Sequence, residues 1–187
     1  MAFVVALLRR GLRAIGDALA TTRWHVRVGT NALETTRRGA GNYAGNYVGR
    51  LAALAARGAY VLADASAPPQ AILIATGSEV QVALAAREIL EKDGVPTRVV
   101  SAPCLEWFDD QDDSYRASVL PDDGAVRVAV EAGATYGWWR YLGARGAVVG
   151  IDHFGASADG AMLLEKFGIT AEAVAASARG LLAREGA

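Results

Sequence analysis

The chain has 187 residues, a formal charge of −1, about half of its residues apolar and a fifth charged. This balance excludes a disordered or collagen-like chain and suits one full-sized core with an appendage. Cys104 is the only cysteine, which excludes an intramolecular disulfide framework and a cysteine-rich zinc site and points to a cytoplasmic setting. Arg9, Arg10 and Arg13 interrupt the first apolar segment, so no run reaches the roughly 20 residues that cross a bilayer.

The small net charge conceals two unlike compositions. Residues 1 to 58 hold nine arginines, no lysine and only Asp17 and Glu34 as acids, a charge of +7; the remainder holds ten bases and eighteen acids, a charge of −8. The join lies at Arg57 and Gly58 and divides the chain into an arginine-rich extension, 1–57, and a domain, 58–187. In the extension, Phe3, Val4, Leu7, Leu8, Leu12, Ile15 and Leu19 recur at helical spacing, which predicts an amphipathic helix. Its basic face suits an anionic membrane, nucleic acid or a targeting role, but a loosely packed extension is the plainest reading and no nucleic-acid partner is expected. Arg37 to Arg50, with Gly41-Asn42-Tyr43 repeated as Gly45-Asn46-Tyr47, reads as a loop or disordered segment. Gly39-Ala40-Gly41-Asn42-Tyr43-Ala44 matches a relaxed dinucleotide fingerprint, yet no buried strand precedes it, and a plain glycine-rich loop is preferred.

From residue 58 onward strand and helix patterns alternate. Tyr60-Val61-Leu62 suggests an edge strand. Ala71 to Ala75 is a short buried-strand run, followed by the turn Thr76-Gly77-Ser78-Glu79 and a helix with apolar positions at Val80, Val82, Ala83, Ala86, Ile89 and Leu90. Ser78 or Thr76 can cap that helix, and Gly94 suits its end. Arg98 to Ser101 is the next strand. Gln111 to Leu120 reads as a helix, Val126 to Val130 as a strand, Thr135 to Leu142 as a short helix, and Ala147 to Ile151 as a strand; Asp159 to Phe167 and Thr170 to Arg184 are the closing helices. Such alternation predicts an α/β fold: a three-layer sandwich around a mostly parallel sheet of about five strands.

Candidate sites are few. A strand-to-helix turn presents free amides and the positive end of a helix dipole, so Thr76, Gly77 and Ser78 form a candidate anion-binding turn; a structural turn explains the same residues, and Glu79 beside it disfavours an anion. Gly155-Ala156-Ser157-Ala158-Asp159-Gly160 is one residue too long for a nucleophile elbow, and Ser157 reads better as a helix cap than as a partner of His153. Glu131 and Asp152 should lie at the carboxyl end of the sheet, where they cap helices or hold loop amides. Trp107, Trp138 and Trp139 read as packing or interface aromatics, and Cys104 as a small core residue.

The residues from Gly58-Ala59-Tyr60-Val61-Leu62-Ala63-Asp64 onward resemble the C-terminal domain of bacterial transketolases. The matching stretches are Ile72 to Val80, Arg98 to Pro103, Tyr115 to Pro121, Arg127 to Gly133, Phe154 to Ala158 and Phe167 to Thr170. Each is weak alone; their order and spacing over about 130 residues are specific. Asp159 departs from the proline of many relatives. The resemblance implies a family that moves a two-carbon ketol unit between sugar phosphates of the pentose phosphate pathway, using thiamine diphosphate and Mg2+ held by two preceding domains of a homodimer. The metal motif of that family is not matched by Asp122-Asp123-Gly124 or by Lys92-Asp93-Gly94. Taken with the resemblance, this implies no catalytic, cofactor-binding or metal-binding residue in the chain, and a fragment with a structural, dimer-supporting role, inactive alone, whose partners are the remaining transketolase domains or a subunit carrying them. Two further readings stand beside it: the equivalent domain of a deoxyxylulose-phosphate synthase or 2-oxoacid dehydrogenase β subunit, against which the motif order argues, and a non-catalytic ligand-binding module using Thr76 to Glu79. The stretch before Gly58 does not resemble the end of the preceding family domain, and fits an out-of-frame, mistranslated or fused upstream segment.

Overall fold

The structure, a computed structural model, describes residues 50–184. The amphipathic helix expected near the N-terminus and all but the last residue of the loop expected over Arg37 to Arg50 lie outside them. Residues 50–55 are helical and lead into the first strand.

Five strands form one sheet in the order β1-β3-β2-β4-β5: β1 is Tyr60–Ala63, β2 Ala71–Ala75, β3 Thr97–Ser101, β4 Val126–Val130 and β5 Gly146–Val149. β2 pairs in parallel with both β3 and β4, and β4 with β5, while β1 runs antiparallel to β3. Every residue of β2 is buried, as expected of a central strand with helices over both faces.

Side chains alternate along each strand and so feed two separate cores. Leu73, in register with Val99 and Val128, faces the helices α1 (Glu79–Lys92) and α6 (Ala171–Ala183). There it meets Ala83, Ala86 and Leu90 from α1 and Val174, Ala175 and Ala178 from α6. Ile74, in register with Val100 and Ala129, points the other way, onto Phe108 of α2 (Leu105–Asp109), Val119 of α3 (Asp113–Val119), Trp138, and Tyr141 and Leu142 of α4 (Trp139–Leu142). The result is the three-layer arrangement that the alternating pattern predicts. A last short helix, α5 (Gly160–Lys166), buries no residue fully.

Several local expectations are corrected. Ser78 makes no capping bond to α1; its hydroxyl donates to Glu79 Oε2 at 3.0 Å instead. Asp159, and not Ser157, caps α5, accepting from the amides of Ala161 and Met162 at 3.1 Å each. A carboxylate thereby does at this helix start what a rigid proline does by geometry. The helix α2 was not anticipated, because five residues are too few to show a helical period. Cys104 is not a core residue: it is half-buried at the start of α2, with Sγ 3.5 Å from Glu106 Oε2. Trp138 is buried, whereas Trp107 and Trp139 are about half exposed. Gly94 ends α1 as expected: its positive φ of 79° lets the amides of Gly94 and Val95 reach the carbonyls of Glu91 and Leu90.

The junction between extension and domain is tightly held. The Arg57 guanidinium lies 3.2 Å from the ring centroid of Tyr115 and its Nε donates to Gln111 at 3.0 Å, while the Tyr115 hydroxyl donates to the Ala59 carbonyl at 2.9 Å. Arg57 thus packs as part of the domain.

Candidate functional site at the carboxyl edge of the sheet

Four parallel strands end on one edge, at Ala75, Ser101, Val130 and Val149. In such sheets ligands bind outside the carboxyl ends of the strands, so this edge is where chemistry would be expected. Three carboxylates stand along it: Glu79 at the start of the helix after β2, Glu131 after β4 and Asp152 after β5.

Glu79 is the first residue of α1 and is only 7 % exposed. Its Oε1 accepts the amide of Ala132, just past β4, at 3.1 Å, and its Oε2 accepts the Ser78 hydroxyl. A buried carboxylate needs such donors, since an unpaired charge inside a protein is costly. Thr76, Gly77 and Ser78 do form the predicted strand-to-helix turn. The negative group found beside that turn is the chain's own, from Glu79.

Glu131 follows β4 directly, and its Oε2 accepts the indole N–H of Trp138 at 3.2 Å. Burial pushes its carboxyl above the usual range, the indole hydrogen bond opposes this, and the negative charge of Glu79 adds to the rise. Asp152, after β5, accepts both the amide of Thr135 at 2.9 Å and its hydroxyl at 2.8 Å. These two bonds hold its carboxyl below the usual range.

The loops after β4 and β5 stay paired beyond the strands. The Glu131 amide donates to the Val149 carbonyl at 3.0 Å and the Ile151 amide to the Gly133 carbonyl at 2.9 Å. Gly150 permits the approach: a Cβ there would stand 2.7 Å from Thr135 Cγ2. Glu131 and Asp152 therefore hold neighbouring groups, as their positions in the sequence suggest.

Other candidates are dispersed. His153 Nδ1 lies 2.8 Å from the Phe154 carbonyl oxygen and its ring meets Phe167 edge-on at 4.9 Å, while Ser157 is exposed. Among the described residues, no group of three or more His, Cys, Asp or Glu side chains is placed to hold a metal ion. No helix among them is long and apolar enough to cross a membrane.

The family model described as the transketolase-like TK C-terminal domain matches residues 58–170. The chain belongs to the transketolase family. It is 52 % identical over 127 residues to Transketolase 1 of Escherichia coli, which covers 68 % of this chain and 19 % of that protein. To the transketolase of Aquifex aeolicus it is 51 % identical over 119 residues, covering 64 % of this chain and 17 % of the relative. A solved transketolase from Leishmania mexicana superposes with a TM-score of 0.65 at 42 % identity, covering 71 % of this chain and 19 % of that one. The chain thus spans about a fifth of the transketolases it matches. The matched transketolase segment begins at Gly58, the glycine seated against α2, and ends at Thr170, whose hydroxyl caps α6. α6 itself lies beyond the matched segment yet belongs to the same core.

Proposed function

We propose that this chain serves as the C-terminal domain of a cytoplasmic transketolase, packing against the other domains of the enzyme and supporting its dimer, and that it does not transfer ketol units alone. The observation that carries this reading is the use of the carboxyl edge. Its three carboxylates accept from two amides, a hydroxyl and an indole of the same domain, which is the use of carboxylates that brace a domain's own loops.

Thiamine diphosphate and Mg2+, the cofactors of the family, do not fit the described residues. The turn at Thr76, Gly77 and Ser78 has the Glu79 carboxylate beside it, which repels a diphosphate. A Mg2+ ion needs oxygen ligands gathered at one point, and the acids here are spread along the edge, each with its own partner. No chemical step is therefore assigned to the cofactors on this chain.

The test is a ketol-transfer assay of the purified chain with xylulose 5-phosphate, ribose 5-phosphate, thiamine diphosphate and Mg2+. No product above background is expected. Transfer by the chain alone would overturn the proposal.

A further inference from the structure

We infer that the paired loops after β4 and β5 are a docking surface for the preceding domains of a transketolase, with Tyr136 and Phe154 as its apolar anchors. The inference rests on the reading above and adds to it the face and residues by which the domain is held.

Tyr136 is 90 % exposed and Phe154 96 % exposed, the two largest exposures among the big apolar side chains of the described residues. They are not core residues lacking a cover, because helices of this chain already close both faces of the sheet. Residues 152–162 are exposed without a break. Aromatic side chains contribute about 150–250 Å² of contact each and are enriched among the anchors of interfaces.

The two anchors are also held in place. Tyr136 follows Thr135, and Phe154 lies two residues after Asp152, so the Thr135–Asp152 bridge and the Ile151–Gly133 bond tie together the loops that carry them. Loops ordered before contact lose little entropy on docking. A surface both apolar and preorganised suits a permanent partner.

The occupant follows from length and charge. The matched relatives are about five times longer than the matched segment, so in them this domain is joined to a large body of other protein. Asp152, two residues before Phe154, is exposed, and residues 59–187 hold eighteen acids against ten bases. The facing surface should therefore offer apolar pockets rimmed by basic side chains.

The experiment mixes the full chain with E. coli Transketolase 1 from which the matched C-terminal segment has been removed, read by light scattering and calorimetry. A complex is expected, and Tyr136→Ser with Phe154→Ser should weaken it at least tenfold, while Trp139→Ser, at the start of α4, should change it less than twofold. Unchanged circular dichroism of the free double variant shows that folding is intact. A second measurement uses a chimera in which residues 58–187 replace the matched segment of the E. coli enzyme. The same double substitution should lower its melting temperature and leave that of the isolated chain unchanged. If neither the mixture nor the chimera joins the two parts, the reading as a transketolase domain fails. If they join and the double variant behaves as wild type, only the assigned surface is overturned. Self-association of the chain that the double variant abolishes, with no complex formed, would assign the surface to a second copy and overturn the proposed partner.

Discussion

Asp152 grips Thr135 at two points, taking its amide at 2.9 Å and its hydroxyl at 2.8 Å. The contact joins residues 17 apart and keeps the exits of β4 and β5 together. Its strength depends on the ionised carboxylate.

The Asp152 carboxyl is held below its ordinary value by the Thr135 amide and hydroxyl. A depressed folded pKa means that the stabilisation is present above the unfolded value of about 3.9 and is lost as pH falls through the lower folded one. Asp152→Asn should therefore melt below wild type at pH 6, and the gap should narrow at pH 3. A gap that widens on acidification would contradict the assigned sign.

Glu131 titrates in the opposite sense. Burial raises its carboxyl above the ordinary value, with a further push from Glu79, so its contribution is fully present below the unfolded value of about 4.3 and is lost as pH rises through the higher folded one. Glu131→Gln keeps an oxygen for the Trp138 indole and removes the charge. Melting curves from pH 4 to pH 7 should show wild type losing ground to the variant as pH rises.

Removing the Glu79 side chain leaves the Ala132 amide without its acceptor. The bond lost is part-buried and made to a charged group, which contributes about 1.5–3 kcal/mol. Urea unfolding of Glu79→Ala should show a loss of that order, with Ser78→Ala costing less because the hydroxyl it removes can be replaced by water.

Gly58 has φ of 87°, and a Cβ there would stand 2.3 Å from both the Cys104 carbonyl oxygen and the Phe108 amide nitrogen. Both obstacles are backbone, so no side chain can rotate aside. Gly58→Ala combines left-handed strain with overpacking, for a cost of about 2–5 kcal/mol. Denaturant titration should show that loss; a shift below about 0.5 kcal/mol, the scale of ordinary surface substitutions, would show that α2 moves freely.

The fold was largely legible in the residue pattern. Ala71 to Ala75 announces a buried strand because five apolar residues in a row have no solvent face, and Gly94 announces the end of α1 because few other residues accept its dihedral angles. Glu131 and Asp152 were readable as carboxylates holding nearby groups, since each directly follows a strand or its last residues. At Ser78 and Ser157 the structure departs from the sequence pattern for one common reason. A short polar side chain at a helix start has several donors and acceptors within reach, and the choice falls to whichever neighbour the chain brings there. Ser78 met Glu79, and Asp159 stood closer than Ser157 to the first amides of α5.

Local pattern and motif order by themselves determined the layered α/β architecture, the change of composition near Gly58 and the transketolase resemblance, because each depends on residues close together in the chain. Tertiary structure alone decided that Glu79 is buried and bound to Ala132, 53 residues away, and that Tyr136 and Phe154 are left bare on two loops tied together. Burial and exposure are properties of what packs alongside a residue, and that is settled only when distant segments meet.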